Sequence, residues 1–123
     1  MIRSLSSFAV AAALAVTTLL PVQSALADED GKVGRIVSLT INTQGSDKYA
    51  SFHGSLGIRT PDGRRDVYFW GGSTCPAQKL DAAEVGLLAT ALQSSKTKIR
   101  PVYRTGEGAR GARCLVAFEL RGA

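Results

Sequence analysis

The segment from Tyr68 to Pro76 constrains the fold more than any other part of this sequence. It reads Tyr-Phe-Trp-Gly-Gly-Ser-Thr-Cys-Pro, so an aromatic strand ends there, a glycine pair turns the chain and Cys75 follows. Strand-like patterns precede the segment, and a helical pattern follows it. We therefore interpret it as a structural junction, with Trp70 as a core residue; the alternative for Trp70 is a ligand platform.

Residues 1–27 have the features of a secretory signal peptide. Arg3 precedes an apolar run, and the small-residue ending Ala25-Leu26-Ala27 resembles a cleavage site. The run, residues 8–20, is shorter than the roughly 20 residues that span a bilayer. We predict export to the bacterial periplasm or medium, with 28–123 as a single domain; the alternative is a retained membrane anchor.

The charge of the chain permits an anionic partner. The formal net charge is +5, and Arg3 is the one basic residue within the leader. Such a dispersed excess suits a solvated surface, and it also suits an acidic glycan, a lipopolysaccharide or an anionic lipid head group. Export disfavours nucleic acid as a partner, and no membrane span is expected in the mature chain.

The two cysteines, Cys75 and Cys114, both lie in the exported part. An oxidising compartment allows them to form one intramolecular disulfide. The alternatives are two free thiols or a metal site. One histidine and two isolated cysteines offer no metal-ligand spacing, so no metal or other cofactor is expected.

The periodicity of the sequence predicts three strands, one helix and two further strands. The helix begins at Asp81, because Asp81 and Glu84 form a capping-box pattern, and Gly86 is interpreted as a point of close packing. A bend or bulge is expected near Gly54 and Gly57, and an edge or bulge at Pro101. The predicted strands are 32–43, 49–60, 65–70, 98–104 and 112–121. The apolar stripe of the helix is expected at Val85, Leu88, Ala89 and Leu92, broadened by Leu87 and Ala91.

This order predicts a mainly β fold with one helix. A five-stranded OB-fold-like barrel has its helix between the third and fourth strands. In that barrel the third and fifth strands meet, which would bring Cys75 close to Cys114. The alternative is an open α+β sheet with the helix across one face.

Three segments give the chain a resemblance to a known family. They are Val33-Gly34-Arg35-Ile36, the helix at 83–92, and Lys98-Ile99-Arg100-Pro101-Val102. With one disulfide and this element order, the chain resembles the OB-fold B subunits of pentameric bacterial toxins of the subtilase-cytotoxin and pertussis-toxin-like group. Other small exported bacterial proteins share the layout. The resemblance implies glycan recognition and a ring-shaped homo-oligomer, and it assigns no sugar-binding residue in this chain.

Two features that could suggest catalysis have simpler explanations. His53 is the only histidine, and no nucleophile and orienting carboxylate can be assigned to it, so no catalytic residue is predicted. Residues 106–111 match G-x-G-x-x-G, but a strand rather than a helix follows them, so they are predicted to form a hairpin loop. Arg110 in that loop is a candidate ligand contact, because this loop flanks the binding face of many OB-folds.

A polar strand face is the main candidate binding site. Tyr49, Ser51 and His53 alternate along the predicted second strand. Sugars are commonly held by aromatic stacking and fixed hydroxyl groups, and these residues offer both. The alternative is that they are ordinary residues of an exposed strand.

The sequence favours a non-catalytic binding module over two other function classes. Its ligand would be a glycan or a partner protein. The alternative is an exported inhibitor or accessory protein that covers another protein's site with a loop. A small secreted hydrolase is disfavoured because no acid–base set can be identified.

Overall fold

The structure is a computed structural model that describes residues 27–105 and 111–122. In this part of the chain a mainly β fold with one helix is observed, as predicted. The predicted signal peptide lies outside the described residues, apart from the exposed Ala27. The elements are β1 (Glu29–Asp30), β2 (Arg35–Ile41), β3 (Gly54–Arg59), β4 (Arg65–Trp70), α1 (Ala82–Gln93), β5 (Lys98–Arg104) and β6 (Cys114–Arg121).

All six strands belong to one sheet with the order β1-β5-β6-β4-β3-β2. β4 and β6 run parallel and pair at Phe69 and Cys114, whereas the other neighbouring strands are antiparallel. A further bridge links the start of β2 to β5. Gly34 N donates to the carbonyl of Ile99 at 3.0 Å, and Ile99 N donates back at 2.9 Å. The residue before β2 is therefore hydrogen-bonded to β5, but among the described residues the two strands themselves do not pair and the sheet is not closed.

The disulfide is confirmed and stands beside the parallel pair. Cys75 is bonded to Cys114, with 5.5 Å between their Cα atoms, and both residues are fully buried. Cys75 lies five residues after the end of β4, and Cys114 begins β6. The covalent bond thus reinforces the short contact between β4 and β6.

The core is apolar and includes Trp70, whose exposed fraction is only 2%. This burial confirms the prediction of a core role and excludes Trp70 as an exposed ligand platform. α1 packs over β2 and contributes Leu88 and Ala91 to the core. The other buried apolar residues of the core cluster are Ile36, Leu56, Ile58, Tyr68, Ile99 and Leu115.

The helix begins where the capping pattern predicted. Asp81 is the N-cap, and its carboxylate accepts a hydrogen bond from Glu84 N at 2.7 Å. The predicted apolar stripe is only partly correct, since Leu88 and Ala91 are buried while Leu87 and Leu92 are exposed. The interpretation of Gly86 is wrong, because a Cβ at this position would meet no atom within 4 Å.

The predicted second strand is too long. The observed strand, β3, begins at Gly54 rather than at Tyr49. The residues before Gly54 form turns, in which Tyr49 N donates to Ser46 O and Phe52 N donates to Lys48 O, both at 3.1 Å. The reason is local, because Ser46 also accepts a hydrogen bond on its Oγ from Lys48 N, at 3.2 Å. Short polar side chains that bond nearby backbone compete with strand formation. Tyr49, Ser51 and His53 therefore do not share a strand face.

The irregular positions of the sheet also differ from expectation. The register shift between β2 and β3 falls at Val37 of β2, whereas the bend or bulge was expected on β3, the strand that carries Gly54 and Gly57. The bulge expected around Pro101 is present one step later, between Val102 and Tyr103. The short strand β1, which pairs with Tyr103 and Val102, was not predicted.

Candidate functional site: the Tyr49–His53 loop

Residues 49–53, here called the Tyr49–His53 loop, precede β3 and are anchored to the end of β2. The backbone N of Asn42 donates to the carbonyl of His53, and its side-chain Nδ2 donates to the carbonyl of Phe52, both at 2.9 Å. The ring of Phe52 meets that of Phe69 edge-on, with centroids 5.2 Å apart. These contacts hold the far end of the loop against the sheet.

The other side of the loop is hydrogen-bonded to the turn that follows β4. Ser73 N donates to Ala50 O and Thr74 N to Ser51 O, both at 2.9 Å. His53 N donates to the carbonyl of Trp70 at 2.8 Å. The predicted junction and the predicted ligand-binding residues, which the sequence analysis treated as separate regions, are therefore in direct contact.

Two glycines make this contact possible. Gly71 and Gly72 have φ angles of 75° and 66°, in the left-handed region that favours glycine. A Cβ on Gly71 would overlap the imidazole of His53, and one on Gly72 would lie 2.5 Å from the carbonyl carbon of Ser51. The disulfide at Cys75 then ties the same turn to β6. The loop thus rests on a rigid, covalently fixed support.

Tyr49 and His53 are brought together by the turn rather than by a strand. Their rings stack with centroids 4.2 Å apart and an interplanar angle of 11°. Both side chains are half-buried, and Ser51 between them is exposed. The loop therefore presents an aromatic pair and a hydroxyl side by side, which are groups able to contact the apolar face and the hydroxyls of a sugar.

The environment of His53 gives it a packing role. Its ring lies between Tyr49 and the backbone of Gly71. Over residues 27–105 and 111–122, no hydrogen bond joins this imidazole to a carboxylate, and no group of three metal-ligating side chains is found. Arg110, the other predicted ligand contact, lies outside the described residues.

A second polar cluster was missed by the sequence analysis. On β4, Asp66 and Tyr68 face the interior, and Arg113 before β6 forms an ion pair with Asp66 at 3.1 Å. The guanidinium of Arg113 also lies over the rings of Tyr68 and Tyr103, at 5.8 and 5.5 Å from their centroids. The alternation of β4 was the available signal, because Asp66, Tyr68 and Trp70 must share one face.

The ionisation of this cluster differs from that of exposed side chains. Burial, together with the charge of Asp66, raises the pKa of Tyr68 above its ordinary value. The pKa of Tyr103 is also raised, mainly by a hydrogen bond to Glu29 and to a smaller extent by burial. Burial lowers the pKa of Arg113, but the hydrogen bond to Asp66 and the charge of Asp66, together with the two tyrosines, raise it by more, so the pKa of Arg113 is raised overall. Both tyrosines are therefore held in the neutral form.

We expect alkaline pH to destabilise the protein partly through Tyr68. Its pKa is higher in the folded chain than in the unfolded one, so the stability that depends on neutral Tyr68 is complete below the ordinary tyrosine pKa of 10.0 and is lost as the pH rises through the folded-state pKa. Above pH 10 the free energy of unfolding should fall less steeply with pH in Tyr68→Phe than in the wild type. The two slopes should differ by at most about 1.4 kcal/mol per pH unit. Urea unfolding across this range measures both slopes, and equal slopes would contradict the role of Tyr68.

Comparison of the chain with protein-family models, curated proteins and solved structures gives no match. No helix of the described residues is long and apolar enough to cross a membrane. Function is therefore inferred from the geometry of the described residues.

Proposed function

We propose that the protein is an exported, non-catalytic binding module built on an OB-fold-like barrel, and that the Tyr49–His53 loop contacts its ligand. The ligand class that fits the loop best is a glycan. The observation that carries this proposal is the preorganisation of the loop, whose aromatic pair rests on the glycine turn and the disulfide. A loop that is already ordered loses little conformational entropy when a ligand binds.

Two pairings between segments that are distant in sequence support the barrel. The reciprocal bonds between Gly34 and Ile99 link the residue before β2 to β5, and the parallel contact at Phe69 links β4 to β6. Both pairings support an OB-fold-like arrangement of the strands. In such barrels, ligands are bound by the loop between the first two strands and the loop between the last two. In the proposed barrel the Tyr49–His53 loop would be the first of these loops, and Arg110 falls in the second by its position in the sequence.

Replacing Tyr49 tests the site directly. We expect the mature protein to bind a subset of sugars on a glycan array, and Tyr49→Ala to weaken that binding by about tenfold or more, which is about 1.4 kcal/mol. Tyr49→Phe keeps the stacking ring and serves as the matched control, with affinity close to that of the wild type. Because Tyr49 is half-buried at the surface, thermal unfolding should show that both variants fold.

Two results would overturn the glycan assignment. One is the absence of sugar binding at high micromolar concentration; the other is binding that Tyr49→Ala leaves unchanged. A protein partner recovered by pull-down, with no sugar bound, would instead favour the inhibitor or accessory function, because a loop fixed at both ends also suits insertion into another protein's site. Light scattering tests the homo-oligomeric ring, and a strict monomer would exclude it.

A further inference from the structure

A surface groove away from the Tyr49–His53 loop combines three cations with an apolar lining. Its volume is about 530 Å³, which falls within the range of small-molecule sites. The charged residues are Arg35, Arg59 and Lys98. The rest of the lining consists of Val33, Gly34, Val37, Thr60 and Pro61.

Strand pairing explains why the three cations meet. Arg35 is the first residue of β2 and lies directly opposite Arg59, the last residue of β3. Lys98 precedes Ile99, which is hydrogen-bonded to Gly34. The groove therefore forms where the chain passes from Gly34, which is hydrogen-bonded to β5, to Arg35, which is paired with β3.

The positive charge of the groove is not neutralised by the described residues. Carboxylates pair with other cations of the chain, but in residues 27–105 and 111–122 none lies within ion-pair distance of Arg35, Arg59 or Lys98. The carboxylate at the adjacent turn, Asp62, is engaged by Lys32 at 3.5 Å and by Thr60. Like charges directly opposite each other on paired strands are destabilising, so a bound anion would relieve a repulsion present in the free protein.

The apolar lining restricts which anion fits. Val37 is the extra residue at the register shift of β2 and has no partner on β3. With Val33 and Pro61 it supplies apolar surface beside the cations. A free inorganic anion would leave this surface in water, whereas a lipid would cover it with its acyl chains while the head group contacts the cations.

We propose that this groove binds one molecule of an anionic phospholipid. The phosphate contacts Arg35, Arg59 and Lys98, and the first carbons of the acyl chains lie on Val33, Val37 and Pro61. This activity is separate from the proposed glycan site, because the two sites share no residue.

Calorimetric titration with dihexanoyl phosphatidic acid, kept below its micelle concentration, tests the proposal. We expect one molecule to bind per chain, and Arg35→Gln and Arg59→Gln each to weaken binding by about tenfold, or 1.4 kcal/mol. Lys79→Gln removes the same charge from a residue outside the groove lining and should change the affinity less than about twofold, or 0.4 kcal/mol. Thermal unfolding in the absence of lipid should show that Arg59→Gln is at least as stable as the wild type, since it removes the repulsion from Arg35.

Four outcomes would overturn the proposal. Inorganic phosphate alone could bind as tightly as the lipid, which would indicate a simple anion site. Dihexanoyl phosphatidylcholine, with the same chains and no net charge, could bind equally well. The groove substitutions could leave the lipid affinity unchanged. Finally, the lipid could fail to bind while an acidic polysaccharide binds with an affinity that Arg59→Gln lowers. None of these results bears on the Tyr49→Ala test, so the two proposals fail independently.

Discussion

Removing both cysteines is expected to lower the free energy of unfolding by about 3–4 kcal/mol. Cys75 and Cys114 are 39 residues apart in sequence, so the bond restricts a long loop in the unfolded chain. In the folded chain it stands beside the β4–β6 contact, where Phe69 and Cys114 form the only pair assigned among the described residues. The disulfide therefore reinforces one of the two sites where segments that are distant in sequence pair.

The double variant Cys75→Ala/Cys114→Ala, unfolded in guanidinium chloride, measures this loss. The wild type in reducing buffer should lose a comparable amount, whereas reductant should leave the double variant unchanged. A loss below about 1 kcal/mol would contradict a major stabilising role, given that removal of native disulfides from small secreted domains typically costs 2–5 kcal/mol. Two reactive thiols in the oxidised wild type would show that the bond is absent.

The second of these sites is the bridge between Gly34 and Ile99, and Gly34→Ala is expected to lower the free energy of unfolding by about 3 kcal/mol. Overpacking against the main chain and the loss of a buried hydrogen bond both contribute to this loss. A Cβ on Gly34 would overlap the carbonyl oxygen of Arg59 and lie 2.7 Å from Cγ2 of Ile58. Backbone cannot move aside as a flexible side chain can. The chain at Gly34 must therefore move away from β3, and this movement is expected to break its reciprocal bonds to Ile99.

Gly86→Ala is the matched control, since it makes the same chemical change in an open position. A Cβ at Gly86 meets nothing within 4 Å, and alanine favours a helix by up to about 1 kcal/mol relative to glycine. Urea unfolding should therefore show opposite signs for the two substitutions. Equal stability of Gly34→Ala and the wild type would show that Gly34 does not lie against Arg59 and Ile58, and would also weaken the proposal of an OB-fold-like barrel.

Features that depend on neighbouring residues could be predicted from the sequence. The strand at Arg65–Trp70, the strand at Lys98–Arg104 and the cap at Asp81 are found where the patterns placed them. Each results from side-chain alternation or from a short-range hydrogen bond, and such effects are visible within a few residues of sequence.

The candidate binding loop shows where this approach fails. Tyr49, Ser51 and His53 alternate as a strand would, yet backbone bonds to Ser46 and Lys48 turn the chain. The turn is then fixed by a segment more than twenty residues later, through bonds from Ser73 and Thr74. The alternation of these residues therefore predicts the wrong backbone conformation for the candidate site.

The sequence by itself determined the element types, the single helix of the described chain and the pairing of two cysteines, because each follows from local pattern or from residue counts. Tertiary structure decided which distant residues meet. It placed the Tyr49–His53 loop on the glycine turn, and it placed Arg35 opposite Arg59 beside Lys98. Such contacts depend on strand order and register, which are set by the burial of the whole sheet rather than by any one segment.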